Sequence, residues 1–337
     1  MRVVLDSKIP YIKGVLEPYF DVEYLEGEEI SPSNLIDCDA MVVRTRTKCS
    51  KELLSGSKVK FIATATIGFD HIDMDYCKAN SIEVATAAGC NKSAVLQYIL
   101  TVLSTLKVTP KQTTVGVIGY GNIGSLLVEV LSGLGFSTMF YDPFKALDRG
   151  VSLENLLQNS DVVTMHTPLT SECDYPTLNL ANSNFFEKIK TGAIFINSSR
   201  GEVVDENALL SAIDSGKVSA AVIDVWRNEP HINQLLLQKA TLATTHIAGY
   251  SRHGKERATE MAVRALGDKF DIKKLKSWSV NSKKSETVEP TWENIQKVST
   301  QYFDIKKESQ TLKQNPQLFE KIRKDYHFRE EFLEVKE

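Results

Sequence analysis

Cysteine is scarce in this sequence and lies at spacings that give it no structural role. The five cysteines among 337 residues are widely scattered, and no two of them form a Cys-x-x-Cys pair. An odd number at such spacings argues against a disulfide framework and against a zinc site. We therefore expect reduced thiols, no bound metal and a cytoplasmic location.

Long apolar runs and an excess of one charge are also missing. No run of 18 apolar residues occurs, and the opening MRVVLDSKIP leads straight into a strand-like stretch, so we expect neither a signal peptide nor a membrane span. Lys and Arg total 40 against 43 Asp and Glu, a net charge of −3. This balance gives no reason to expect nucleic acid or an anionic membrane as a partner. A small anionic substrate needs only local charge and stays compatible with it.

Short apolar runs alternate with longer helical patterns, which is typical of parallel strands joined by crossover helices. The length suits about two domains, so we predict an α/β protein with two of them. In the first, over residues 1–91, candidate strands lie at residues 3–5, 40–43 and 61–64. A linking helix is predicted over residues 93–107 and ends before Pro110.

A second series of apolar runs predicts a doubly wound, Rossmann-type parallel sheet over residues 92–246. Its candidate strands lie at residues 115–118, 138–141, 162–165, 193–196, 220–223 and 242–244. A helical stretch follows from about Gly254 to Phe270. Residues 272–337 are rich in Lys, Glu, Gln and Ser, with sparse apolar positions. They predict a separate, mostly helical C-terminal appendage, either a solvated helical pair or a dimerisation element.

The first strand of the second series runs into a glycine-rich turn that opens a helix, Gly119-Tyr120-Gly121-Asn122-Ile123-Gly124. The three glycines would permit a tight turn, close approach of a pyrophosphate and close packing of helix on strand, in that order. The helix N-terminus would present N–H groups to the phosphates. Asp142 ends the next strand, where it could bind both ribose hydroxyls and repel a 2′-phosphate. NAD is therefore favoured over NADP, although the nearby Lys145 acts in the opposite sense.

Polar residues that could carry out chemistry follow three later strands, at residues 197–201, 224–230 and 245–250. Because ligands bind beyond the carboxyl ends of such strands, Arg200, Glu229 and His246 can converge. Oxidation of a hydroxyl needs a base, and His246 is our candidate. Glu229 would orient its ring and stabilise its charge, and Arg200 would hold a carboxylate through its fork of N–H groups. Singly each could be structural, and the set favours catalysis.

Two other polar features are given structural roles. Asp70 and Asp73 are close in sequence, and we predict helix capping rather than an acid pair. His166 ends a predicted strand, so it is expected to be structural beside a bound cofactor, and it is the alternative base if His246 is not used.

These motifs resemble the D-isomer-specific 2-hydroxyacid dehydrogenase family, through VVRTRTK, GYGNIG, HTPLT, NSSRGEVVDENAL, DVWRNEP and HIAG. The resemblance implies an NAD-binding domain at 92–246 and a flavodoxin-like substrate domain at 1–91, completed by about 247–271. It assigns Arg200, Glu229 and His246 as the catalytic trio. It assigns as further NAD contacts Asp142, Thr167, Ser198, Ser199, Arg200, Asp224 and Gly249. It assigns as substrate contacts Thr45, Thr66 and Tyr250.

Four further features resemble the branch of this family that oxidises 4-phospho-D-erythronate to 2-oxo-3-hydroxy-4-phosphobutanoate in vitamin B6 biosynthesis. They are ATATIGFDHID, AAGCNKSAV, the insert at residues 172–178 and HIAGYSRHGK with its Tyr250. The resemblance implies a small phosphorylated 2-hydroxy acid as substrate and a homodimer. The alternatives are another family member, such as one acting on 3-phosphoglycerate, or a non-catalytic NAD-sensing interaction protein.

Two positions and the length of the C-terminal tail depart from the pattern of that branch. Thr245 stands where proline is usual, and Arg227 replaces a commonly acidic residue. The C-terminal tail is also shorter than the dimerisation domain that the branch usually carries. Dimerisation is therefore less firmly predicted than catalysis.

Overall fold

A computed structural model describes residues 1–145, 150–282 and 285–334 of the chain. The described residues form two compact units, residues 1–91 with 251–282 and residues 92–250 with 285–334. Each unit is built on its own sheet, and each is described by itself below.

The strands and helices follow one another in the alternating order that the apolar runs predict. The strands are β1 Arg2–Asp6, β2 Asp21–Leu25, β3 Ala40–Val43, β4 Phe61–Thr64, β5 Glu83–Thr86, β6 Thr114–Ile118, β7 Ser137–Tyr141, β8 Val162–Met165, β9 Ala193–Asn197, β10 Val218–Ile223 and β11 Leu242–Ala243. The helices are α1 Pro32–Leu35, α2 Lys51–Leu54, α3 Met74–Ala79, α4 Lys92–Thr105, α5 Asn122–Gly133, α6 Leu153–Asn159, α7 Ser183–Lys188, α8 Glu206–Asp214, α9 Gln234–Lys239, α10 Arg252–Lys269, α11 Lys273–Lys276, α12 Trp292–Tyr302, α13 Ile305–Gln314 and α14 Phe319–Lys324.

The first unit holds a parallel sheet in the order β2-β1-β3-β4-β5. This is the flavodoxin-like strand order, and it confirms the predicted α/β class. The inner strands β3 and β4 are fully buried because helices cover both faces. On one face α10 buries Ala262, Val263 and Leu266 against β1, β3 and β4. Residues 251–282 thus return to the first unit and complete its core.

The second unit holds a parallel sheet in the order β11-β10-β9-β8-β6-β7. The strand order reverses at β6, since β7 pairs with one side of β6 and β8 with the other. At such a reversal the loops leave the sheet in opposite directions and open a crevice beyond the carboxyl ends. The glycine-rich turn after β6 and His166 after β8 both lie there.

The C-terminal segment is part of the second unit. Helix α12 packs against α4, and α13 packs against β11. Ile295, Phe303, Leu312 and Phe332 are at most 4% exposed and lie in this unit's core. The sequence predicted a separate appendage. In the structure the segment is instead part of the second unit, because its sparse apolar residues pack against the sheet and α4.

Two general features concern the whole described chain. No helix in the described ranges combines the length and the apolar character needed to cross a membrane. All five cysteines lie in described residues and none forms a disulfide; four are buried and Cys173 is exposed.

Candidate active site

The three residues predicted to act together follow neighbouring strands of the second sheet. Arg200 follows β9, Glu229 lies in the loop after β10, and His246 follows β11. These strands are adjacent and parallel, so their carboxyl ends meet at one edge of the sheet. The topology thus places residues distant in sequence within one region of the second unit.

Glu229 and His246 form a hydrogen-bonded pair. The Nδ1 atom of His246 lies 2.9 Å from Oε2 of Glu229. A carboxylate only accepts, so Nδ1 carries the hydrogen and Nε2 is the acceptor of the neutral ring. The other oxygen, Oε1, accepts a 3.0 Å hydrogen bond from the backbone N–H of Trp226. Burial raises the pKa of Glu229, but the charge and hydrogen bond of His246 together with the Trp226 N–H outweigh it, and the pKa is lowered. Glu229 is therefore an ionised partner for the ring.

A buried carboxylate holds the loop that carries His246. Asp224 is 1% exposed, and its carboxylate accepts hydrogen bonds from Thr244 Oγ1 at 2.6 Å, Ile247 N at 2.8 Å and Ala248 N at 2.9 Å. Its carbonyl accepts from the N–H of His246 at 2.7 Å. His246 has a φ of +60°, which strains a residue with a Cβ, and these bonds fix that conformation. The structure gives Asp224 a positioning role, and its contact with a cofactor remains a prediction.

Arg200 lies half-buried in a tight turn. Its Nη1 donates to the carbonyl of Ser199 at 2.8 Å, and Asn197 Nδ2 donates to the carbonyl of Arg200 at 2.9 Å. A Cβ on Gly201 would lie 2.1 Å from the backbone of Trp226. Only glycine therefore lets this turn approach the loop after β10.

The glycine-rich turn has the geometry that each of its glycines was predicted to need. Gly119 has a φ of +93°, and a Cβ on Gly124 would lie 1.9 Å from the Gly119 carbonyl oxygen. A Cβ on Gly121 would meet no atom of the other described residues within 4 Å beyond its chain neighbours and its own helix. Gly121 thus borders open space at the start of α5, which begins with Asn122 and Ile123.

Asp142 lies directly beside this turn. It follows β7, and its Oδ2 accepts a 2.9 Å hydrogen bond from the backbone N–H of Tyr120 within the turn. Its Oδ1 accepts from Phe144 N at 3.1 Å. Two backbone hydrogen bonds therefore fix an anionic group beside the open space at Gly121.

Several buried polar atoms at the carboxyl edge of the sheet have no protein partner within the described residues. A buried polar atom without a hydrogen bond costs about 1–3 kcal/mol, so a bound polar ligand would stabilise such positions. These atoms are His166 Nδ1, Thr167 Oγ1, Ser198 Oγ and Thr245 Oγ1. Ser199 differs, because its hydroxyl donates to Asn197 Oδ1 at 3.0 Å. The unpaired atoms, the open space at Gly121 and the carboxylate of Asp142 together fit a dinucleotide.

His166 is held as a neutral imidazole. Burial lowers its pKa to about 3, and its Nε2 lies 2.8 Å from Thr164 Oγ1. A ring with so little affinity for a proton is a weak general base at neutral pH. His166 is therefore less suited to act as the base than His246, which is hydrogen-bonded to Glu229.

The predicted substrate contacts are divided between the units. Thr45 and Thr66 follow β3 and β4 in the first unit, and Thr66 Oγ1 lies 2.6 Å from Thr64 Oγ1. Thr45 is exposed and lines a cavity of about 590 Å³ together with Lys48 and residues 70–73. Gly249 and Tyr250 lie in the second unit, in the turn after His246.

Sequence reasoning missed Arg323 on α14. Its Nη1 lies 3.7 Å from Oε2 of Glu229, and its Nε donates to the hydroxyl of Tyr250 at 3.2 Å. The spacing of the apolar residues Phe319 and Ile322 is compatible with a packed helix. The tail was predicted to be a separate element, however, so the position of Arg323 beside the site could not be inferred.

A metal centre has no support among the described residues. Nowhere in the described chain do three or more His, Cys, Asp or Glu side chains form a group that could hold a metal ion. The polar groups at the site are instead those of acid–base chemistry and anion binding.

Known proteins of one enzyme family are similar to this chain. A family model described as "D-isomer specific 2-hydroxyacid dehydrogenase, NAD binding domain" matches residues 101–248. The chain is 42% identical to the erythronate-4-phosphate dehydrogenase of Bacteroides fragilis over 340 residues, which cover 98% of this chain and 97% of that protein. It is 39% identical to the Escherichia coli protein of the same name over 274 residues, 79% of this chain and 72% of that one. The tail is therefore not short relative to the Bacteroides protein.

Solved structures share the fold. D-lactate dehydrogenase from Aquifex aeolicus, complexed with NAD and lactic acid, matches with a TM-score of 0.65 and 27% identity, covering 84% of this chain and all of that one. The NAD⁺-bound 3-phosphoglycerate dehydrogenase of Entamoeba histolytica matches with a TM-score of 0.67 and 25% identity, covering 84% and 99%. The chain therefore belongs to the D-isomer specific 2-hydroxyacid dehydrogenase family and, within it, groups with the erythronate-4-phosphate dehydrogenases.

Proposed function

We propose that this NAD-dependent dehydrogenase oxidises 4-phospho-D-erythronate to 2-oxo-3-hydroxy-4-phosphobutanoate, a step of vitamin B6 biosynthesis. The observation that carries the proposal is the Glu229–His246 pair, with 2.9 Å between Oε2 and Nδ1, in the same unit as a turn that fits a dinucleotide. The 42% identity to a protein of that name supports the choice of substrate.

The proton passes to His246. The substrate hydroxyl donates to Nε2, and as the O–H and C–H bonds break the carbon–oxygen double bond forms. The ionised Glu229 stabilises the positive charge that the ring acquires. NAD, when bound, supplies the acceptor for the hydride.

Arg200 orients the substrate. Its guanidinium would hold the substrate's carboxylate and hydroxyl oxygen through two N–H groups, a geometry that a lysine cannot reproduce. Thr45, Thr66 and Tyr250 are proposed as further contacts. This orientation would direct the single hydrogen on the hydroxyl-bearing carbon towards the hydride acceptor.

The cofactor contacts are proposed on the glycine-rich turn, Asp142, Thr167 and the turn at residues 198–200. Asp142 would bind the ribose hydroxyls, and a 2′-phosphate beside it would be repelled, so NAD binds more tightly than NADP. Replacing Asp142 with Ala should narrow this difference. Calorimetric titration of both cofactors measures it, and equal affinities in the unaltered protein would remove Asp142 from this role.

The substrate phosphate needs a cation, and the sequence offers Arg44, Arg46, Lys48 and Arg252. Both guanidinium hydrogen bonds described for Arg44 go to buried Asp6, at 2.9 and 3.1 Å, and Arg252 is paired with Glu256. Lys48 is exposed and lines the same cavity as Thr45. Lys48 is therefore the first cation to replace, and Lys48→Met should raise KM more than it lowers kcat.

The direct test is a steady-state assay of the full chain with NAD and each of two phosphorylated acids. We expect kcat/KM for 4-phospho-D-erythronate to exceed that for 3-phosphoglycerate by about tenfold or more, the size of effect that one extra carbon unit allows. Formation of NADH is followed by absorbance. A reversed ratio of the two kcat/KM values would favour the second candidate function, the oxidation of 3-phosphoglycerate. The observation that favours this candidate is the match to the Entamoeba histolytica structure. Binding of NAD without turnover of either acid would instead indicate an NAD-sensing protein.

A homodimer in the cytoplasm is the proposed state of the enzyme. The cytoplasmic location is supported by five cysteines that form no disulfide. The dimer is supported by exposed apolar side chains on the C-terminal segment, Leu318 at 39% and Phe328 at 38% exposure. Sedimentation of the full chain over a range of concentrations measures the stoichiometry.

A further inference from the structure

We propose that the C-terminal segment completes the active site and that Arg323 is a positioning residue for the Glu229–His246 pair. The inference rests on the proposed role of His246. It extends the site to a residue that lies outside the matched NAD-binding domain, residues 101–248.

Arg323 is held at the site by the packing of its own helix. Phe319, one turn earlier on α14, is 1% exposed in the core of the second unit. The Nη1 atom of Arg323 lies 3.7 Å from Oε2 of Glu229, the same oxygen that faces His246. Its Nε donates to the Tyr250 hydroxyl at 3.2 Å, and the guanidinium carbon lies 5.8 Å from the Tyr250 ring centre. One side chain thus contacts both the partner of the base and a predicted substrate contact.

A second arginine fastens the segment to the loop that carries His246. Arg329 is 6% exposed and donates to the carbonyl of Ile247 at 2.9 Å, to that of Ala94 at 3.0 Å and to that of Ala248. Its guanidinium lies 4.7 Å from the ring centre of Phe303. The loop and the segment are therefore joined independently of Arg323, so replacing Arg323 removes a charge without detaching the segment.

The two charges nearest the imidazole act in opposite directions. Glu229 stabilises the protonated ring, whereas Arg323 neutralises part of the Glu229 charge and repels a protonated ring. Other ionisable groups on the elements packed against this pair are Asp224, Tyr250, Tyr326 and Arg329. The Asp224 carboxylate and the Arg329 guanidinium are both bonded to the backbone of the loop. Arg323 thus opposes the protonation of the ring and anchors Tyr250.

The test is a proton NMR titration of the imidazole of His246 in the full chain, assigned by its loss in His246→Ala. We expect the midpoint in Arg323→Met to move to higher pH by about 0.5–1 unit, as expected for loss of a nearby like charge that is partly exposed. Arg323→Lys keeps the charge, so the midpoint of the His246 imidazole in this variant should lie close to that in the unaltered protein. Lys324→Met removes an exposed charge from the same helix and should leave the midpoint in place.

The kinetic readout follows the same sign. The pH profile of kcat for oxidation should move to higher pH in Arg323→Met, and KM should rise because Tyr250 loses the hydrogen bond from Nε of Arg323. An unchanged NMR midpoint in Arg323→Met, or in Arg323→Gln where the methionine variant does not fold, overturns the positioning role. A shifted midpoint in a protein that fails to oxidise 4-phospho-D-erythronate would support this inference and overturn the proposed substrate.

Discussion

At the scale of single residues, the candidate site places the ionised carboxylate of Glu229 beside the imidazole of His246. The sequence predicts that Glu229 of DVWRNEP and His246 of HIAG can converge beyond the carboxyl ends of the strands, and the structure adds their direct contact. The 2.9 Å contact and the strained φ of His246 need the bonds from Asp224. No sequence pattern predicts the strain at His246, because an Asp after a strand has several ordinary roles.

Replacing His246 with Ala should lower kcat by about 10²–10⁴-fold, the usual contribution of one general base. The affinity for NAD should stay nearly unchanged, because the ring acts on the hydroxyl proton. Steady-state kinetics and calorimetry on the same preparation measure both. Full kcat in this variant would show that the proton goes elsewhere.

Replacing Glu229 with Gln keeps the size of the side chain and removes its charge. The attraction that lowers the pKa of Glu229 also stabilises the protonated imidazole, so its loss favours the neutral ring. The pH profile for oxidation should therefore move to lower pH, with a lower plateau because the base is weaker. A profile that moves to higher pH would contradict the assigned pair.

The neutral, buried His166 gives a prediction about stability. Its pKa of about 3 in the folded chain lies below the ordinary value of 6.5, so the unfolded chain binds the proton more readily. The contribution of the neutral ring to the unfolding free energy is therefore present in full above pH 6.5 and is lost as the pH falls towards 3. Replacing His166 with Gln should reduce the loss of unfolding free energy between pH 7 and pH 5 by about 2 kcal/mol. Urea unfolding at both pH values measures it, with the exposed His327→Gln as the control; equal losses in both variants would contradict the burial of a neutral ring.

At the scale of elements, the inner strands of the first unit could be predicted from the sequence and its two edge strands could not. The apolar runs at residues 3–5, 40–43 and 61–64 correspond to β1, β3 and β4, which are buried on both faces. The missed strands are β2, DVEYL, and β5, EVAT, and both are edge strands with partly exposed residues. A strand covered on fewer sides carries polar residues, so it lacks the continuous apolar run on which the prediction depends.

A substitution in the glycine-rich turn can test the fit of the cofactor without straining the fold. Gly121 has a φ of −84° and a Cβ there would touch no protein atom, so Gly121→Ala should leave Tm nearly unchanged. The added methyl group would occupy the space proposed for the pyrophosphate, and NAD affinity should fall by about tenfold or more. Gly133→Ala, later in α5 and equally free of contacts, is the control and should bind NAD normally. Calorimetry and thermal unfolding of the two variants decide it; unchanged affinity in Gly121→Ala would place the pyrophosphate elsewhere.

At the scale of the whole molecule, the C-terminal segment cannot be judged from composition. Its charged, glutamine-rich sequence resembles a solvated appendage, and its few apolar residues were expected to bury only against a partner. The structure buries them within the second unit instead, beside α4 and β11. Deleting the segment would therefore expose the core of the NAD-binding unit, and a loss of dimerisation in such a deletion would not identify an interface.

Point substitutions separate the two roles of the segment. Phe303 is 4% exposed, lies 5.6 Å from the ring of Tyr98 and carries the guanidinium of Arg329 over its face. Phe303→Ala should lower the unfolding free energy by about 3–5 kcal/mol, the usual cost of emptying a core position of this size. Leu318, 39% exposed on the same segment, should cost less than about 1 kcal/mol when replaced with Ala. Urea unfolding measures the two free energies, and sedimentation of both variants under native conditions measures the stoichiometry. Suppose that the segment both fills the core and pairs two chains. Phe303→Ala will then have a lower unfolding free energy but will form the same oligomer as the unaltered protein under conditions in which it is folded. Leu318→Ala will keep its unfolding free energy but associate more weakly. Equal stability in the two variants would show that the segment does not belong to the core of the second unit.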